Sequence, residues 1–61
     1  MNKENLIEIG NCTDEQLIEE IFGSVSEFAR LTEELGEEFE YGKFMVKYND
    51  EKDIHTFFKK S

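Results

Sequence analysis

Carboxylates dominate the chemistry that this chain can offer. Glu15, Glu19, Glu20, Glu27, Glu33, Glu34, Glu37 and Glu38 crowd one stretch, and Arg30 is the only base between Asp14 and Tyr41. Unpaired carboxylates attract guanidinium and ammonium groups, exclude other polyanions and steer a basic partner from a distance. Glu15-Glu19 and Glu33-Glu37 place like charges four residues apart, which costs about a few tenths of a kcal/mol per pair in a helix. A helix that is merely soluble mixes its signs instead. The plainer account is that glutamate forms helices well and a charged outer face keeps a small protein in solution.

The other reactive side chains are few. Cys12 and His55 are the single cysteine and histidine; as nucleophile and base they would need a third, orienting group, and the sequence suggests none. Asn49-Asp50-Glu51-Lys52-Asp53 is acidic but lacks the glycine and distal glutamate of a calcium loop, and reads better as a hairpin turn. No glycine-rich phosphate cradle is present. These residues point to a binding protein and not an enzyme, with no catalytic residues, cofactor or metal expected. One unpaired cysteine in so short a chain suits a reducing setting.

Charge narrows the partners. Fifteen acids against seven bases give −8 over 61 residues. Residues 1–42 hold twelve acids against Lys3 and Arg30, while residues 43–61 hold five lysines against three acids. Such a chain repels nucleic acid and anionic membranes and attracts basic proteins. Phe22-Gly23-Ser24-Val25-Ser26-Glu27-Phe28-Ala29-Arg30-Leu31-Thr32 superficially resembles a helix-turn-helix fragment, but glutamates follow it where phosphate-neutralising bases would have to be. No apolar run reaches the roughly 20 residues of a membrane span. Met1-Asn2-Lys3-Glu4-Asn5 lacks the layout of a signal peptide, so a cytoplasmic location is expected.

The elements that must position the acids follow from periodicity. Leu6–Ile9 is a short strand, ended by the turn pair Gly10-Asn11. Thr13-Asp14-Glu15-Gln16 reads as a capping box. From Asp14 to Leu35 the apolar residues Leu17, Ile18, Ile21, Phe22, Val25, Phe28, Ala29, Leu31 and Leu35 keep helical phase across Gly23. They predict one helix of about 33 Å, ended by Gly36, with the glutamates on the far side. A break at Gly23, with Ser24 capping a second helix, is the competing reading. Phe39–Tyr48 alternates as a strand, Asn49–Asp53 turns, and Ile54–Lys59 returns as a second strand. The predicted fold is α+β: β-α-β-β in a single small acidic binding domain, with one long amphipathic helix on a three-stranded antiparallel sheet.

Alternation divides that sheet. Phe44, Val46, Tyr48, Ile54, Thr56 and Phe58 are placed under the helix. Phe39, Tyr41, Met45 and Phe57 then fall on the opposite face, among Lys43, Lys47, His55 and Lys59. Either a bulge at Gly42 returns some of these aromatics to the core, or a symmetric homodimer covers them. A homodimer with its interface at Phe39, Tyr41, Met45 and Phe57 is the expectation.

On a rigid rod, nine acids from Asp14 to Glu38 over about 36 Å give one charge per ~4 Å, against one per ~3.4 Å along a DNA strand. Glu15, Glu19, Glu33 and Glu37 form one row, with Glu20, Glu27 and Glu34 beside it. In these residues the chain resembles the small acidic DNA-mimic inhibitor proteins of bacteriophages. That resemblance implies a partner that is a basic DNA-binding protein of the host, with the histone-like nucleoid protein HU the type favoured over uracil-DNA glycosylase. The partner-binding residues would be Glu15, Glu19, Glu20, Glu27, Glu33, Glu34, Glu37 and Glu38. The rival is a protein-interaction or regulatory adaptor, antitoxin-like or anti-sigma-like, anchored through the aromatic sheet face.

Overall fold

The computed structural model describes residues 5–60. The stretch on which the signal-peptide reading rests therefore lies, but for Asn5, outside the described residues. The chain runs β1 (Leu6–Asn11), α1 (Glu15–Phe22), α2 (Val25–Leu35), β2 (Phe39–Tyr41), β3 (Phe44–Asn49) and β4 (Ile54–Lys60). The four strands form one antiparallel sheet in the order β1-β4-β3-β2. The class is α+β as expected, but with two helices in place of one and four strands in place of three.

The helix breaks at Gly23, the reading set second on sequence grounds. Gly23 adopts φ 95° and its N–H donates to the Glu19 carbonyl, ending α1. Ser24 then starts α2, its Oγ accepting from the Glu27 N–H at 3.1 Å. A straight rod of about 33 Å would overhang a sheet whose longest strand spans about 24 Å. Bending at Gly23 instead lets both apolar stripes reach the same core. Phe22 at the end of α1 packs on Phe39, Tyr41 and Phe57, with ring centroids 6.3, 4.9 and 5.7 Å away. Phe28 in α2 packs on Phe57 and His55 at 5.3 and 5.6 Å. The two rings meet across the break at 5.1 Å.

At the start of α1 the cap is Asp14, which accepts from the Leu17 N–H at 3.2 Å. The expected capping box at Thr13 does not form, because the Thr13 hydroxyl donates to Asn11 Oδ1 instead. β1 continues through Gly10 and Asn11 with a bulge between Glu8 and Gly10. At Gly10, φ 156°, a Cβ would stand 2.3 Å from Leu17 Cδ2, so a larger residue there would require the Leu17 side chain to turn aside.

Two turns overturn the expected sheet faces. Phe39–Tyr48 is not one strand: Gly42, at φ 61°, and Lys43 make a two-residue hairpin loop closed by the Tyr41–Phe44 pair. The turn, and not a bulge, brings Phe39 and Tyr41 onto the same face as Phe44 and Val46. The β3–β4 loop holds four residues, Asp50 to Asp53, because Asn49 pairs with Ile54. A five-residue loop beginning at Asn49 would have paired Tyr48 with Ile54. That one-residue difference turns every side chain of β4 over. His55 and Phe57 therefore lie under the helices, while Ile54, Thr56 and Phe58 lie on the open face.

The core comprises Ile18, Ile21, Phe22, Phe28, Leu31, Phe39, Val46 and Phe57, with Val46 and Phe57 fully buried. Leu17, Ile9, Cys12, Tyr41 and Phe44 pack around it. No helix among the described residues is long and apolar enough to cross a membrane.

Candidate acidic interface

The glutamates reach the surface in three groups. Glu15, Glu19 and Glu20 stand on α1; Glu27, Glu33 and Glu34 on α2; Glu37 and Glu38 in the connection to β2. All are exposed except Glu27, which is half-buried. The amphipathic pattern enforces this placement, since Ile18, Ile21, Phe22, Phe28 and Leu31 fix the opposite face of each helix to the sheet.

The two predicted rows do not form as drawn. Because the helix breaks at Gly23, Glu15 and Glu19 belong to one axis and Glu33 to another, while Glu37 lies beyond the end of α2. Residues 15–22 span about 12 Å and 25–35 about 16 Å, so no continuous rod carries the charge. The even match to phosphate spacing goes with the rod. What remains is a layer of carboxylates on one side of the molecule.

Arg30 sits within that layer and clamps two of its acids. Its Nε donates to Glu27 Oε1 at 3.1 Å and one terminal amino group to Glu34 Oε2 at 2.6 Å. The other terminal amino group completes a fork on Glu27 through Oε2. The hydrogen bonds from Arg30 hold the Glu27 carboxyl below the usual carboxylate range, and the pair of carboxylates pushes Arg30 up. Glu27 and Glu34 are thus partly neutralised inside α2. Glu15, Glu19, Glu20, Glu33, Glu37 and Glu38 meet no base among the described residues. The sequence carried the signal for this clamp, with acids three residues before and four after Arg30, yet it was read only as the layer's lone base.

The expected aromatic interface does not exist as a surface. Phe57 is fully buried and Phe39 is 8% exposed, both in the core, and Tyr41 is half-buried against Phe22. Only Met45 of that set lies on the face away from the helices, opposite Glu40 and Phe58. An adaptor anchored on Phe39, Tyr41 and Phe57 loses its anchors to the core, and so does a homodimer built on them.

Cys12 and His55 do come together, since the Cys12 N–H donates to the His55 carbonyl at 2.9 Å. The imidazole is enclosed by the edges and faces of Phe28 and Tyr48, 5.6 and 5.3 Å away. Its Nε2 is buried with no hydrogen-bond partner. Among the described residues no hydrogen bond orients the ring as a base. Among the described residues no three His, Cys, Asp or Glu side chains converge to hold a metal ion. No protein-family model matches the chain, and neither a curated protein nor a solved structure does.

Proposed function

We propose that this protein is a non-enzymatic inhibitor that imitates DNA, its acidic helical layer occupying the DNA-binding surface of a basic host protein. A histone-like nucleoid protein is the favoured target, met in the host cytoplasm. The observation that carries this reading is the one-sidedness of the charge. Among the described residues six glutamates of the acidic layer meet no base, and its one arginine engages only Glu27 and Glu34. An unneutralised layer in a marginal 61-residue fold keeps a repulsion that a partner's lysines and arginines would relieve.

The break at Gly23 changes how the mimicry would work. Two short acidic segments joined at Gly23 would meet a basic surface as two separate patches, where a straight rod would touch it along one line. Binding should be governed by counterion release and so weaken steeply with salt.

The test is binding of the purified protein to a histone-like protein at about 50 and 500 mM salt, with duplex DNA as competitor. Glu19, Glu20 and Glu33 supply the variant, since all three are exposed and none pairs with another described residue. Their joint change to lysine should abolish binding while the circular dichroism spectrum stays unchanged. A folded triple variant that binds as well as the wild type would refute the mimicry.

A further inference from the structure

We propose that the open face of the sheet is where two copies of this chain meet, with Glu8 of each copy over Lys47 of its partner. Both helices pack on one side of the sheet, so among the described residues nothing covers the other side. Met45, Ile54 and Phe58 lie there half-buried around Thr56. Glu8, Lys47, Thr56 and Phe58 line a shallow depression of about 480 Å³ on this face, together with Asp50 and Glu51 of the β3–β4 loop.

The self-complementary placement of Glu8 and Lys47 selects a second copy as the occupant, and electrostatics selects how the two copies meet. Two chains of −8 repel each other, and the repulsion is least when the acidic layers point apart, which is the sheet-to-sheet arrangement. Among the strand residues of the open face charge balances, with Glu8 and Glu40 against Lys47 and Lys60. Glu40 and Lys60 already pair within the chain at 2.8 Å. Glu8 and Lys47 are not paired with each other or with any other described residue.

The register makes the surface self-complementary. Glu8 lies beside Phe58 on one flank of β4, and Lys47 lies beside Thr56 on the other. A twofold axis in the plane of the interface, passing between Thr56 and Phe58, exchanges the two positions. It therefore forms two Glu8–Lys47 contacts at once and sets Phe58 against its own copy. Three strands of six or seven residues and one of three give a footprint of roughly 350 Å², less than half the ~800 Å² per partner of a standard interface. The expected association is weak, with a dissociation constant on the order of 100 µM.

Sedimentation equilibrium and amide NMR of the wild type from about 10 µM to 1 mM should show dimer growing with concentration. The shifts should be confined to Glu8, Met45, Lys47, Thr56 and Phe58 and their neighbours. K47E or E8K alone sets like charges opposed at both contacts and should weaken the dimer about tenfold or more. The double variant E8K/K47E restores opposite charges and should return to within about threefold of wild type. A wild type still monomeric at about 1 mM overturns the proposal and leaves the face to some other occupant. So does a double variant that folds but associates no better than the single ones. Should a variant fail to fold, the wild-type shift map decides, because shifts confined to the helices would place the contact elsewhere.

Discussion

Phe57 and Phe58 differ by one position and should differ sharply in what they contribute. Phe57 is fully buried, its ring packed at 5.7 Å from Phe22 and 5.3 Å from Phe28. Replacing it by leucine keeps most of the apolar volume but removes both aromatic pairs, a loss of about 1–3 kcal/mol. Phe58 is half-buried on the open face and has no aromatic partner among the described residues, so Phe58→Leu should cost about 0.5 kcal/mol or less. Alanine at 57 would be a poor probe, since about 3–5 kcal/mol is a large part of what a domain this small holds. With a urea slope of about 1 kcal/mol/M, Phe57→Leu should lower the midpoint by about 1–3 M and Phe58→Leu by about 0.5 M or less. The assay is urea unfolding followed by circular dichroism at about 5 µM, where the weak dimer contributes nothing. Equal shifts, or a larger one for Phe58, would refute the assigned register of β4 and with it the surface assigned to Glu8 and Lys47.

Two further predictions concern the helices. Ser24 caps α2 through Glu27, so Ser24→Ala should destabilise the protein by about 1 kcal/mol; in an unbroken helix alanine would stabilise, and the sign of the change in thermal midpoint separates the two. Glu27 is held below its ordinary value of 4.5 by Arg30, so the pair's stabilisation is present above that value and is lost as pH falls through the lowered one. Glu27→Gln should therefore lower the thermal midpoint at neutral pH and make little difference in strong acid; an equal deficit at both pH values would show that Arg30 does not act on the Glu27 charge.

The class of fold, the helical stretch, the exposed acids and the β3–β4 hairpin were legible because each rests on a pattern many residues long. Nine apolar positions in phase and eight glutamates out of phase tolerate an error of one residue. The turns do not. Whether Asn49 closes β3 or opens the loop is decided by a single pair, Asn49 with Ile54, and periodicity contains no information about it. The same holds at Gly42, where a tight turn and a bulge need the same residue. Gly23 was ambiguous for a different reason. The apolar phase runs through it unbroken, and the break is imposed from outside, by the small sheet on which Phe22 and Phe28 must both land. For the site, this means that the identity of the exposed acids survived and their geometry did not. The self-complementary face around Thr56 was hidden entirely, because it depends on the register of β4 against both neighbours.

The pairing of the first strand with the last has a mechanical consequence. β1 and β4 run antiparallel, and Leu6 faces Lys60 at the open end of their ladder. Tension applied through these two residues pulls across the strands, in line with the hydrogen bonds. The bonds then carry the load one after another, as in a zipper, and never as a group in shear. Once they part, β4 loses a neighbour and Phe57 loses one wall of its enclosure. Pulled apart through Leu6 and Lys60, the sheet should open at low force, beginning with the β1–β4 pair.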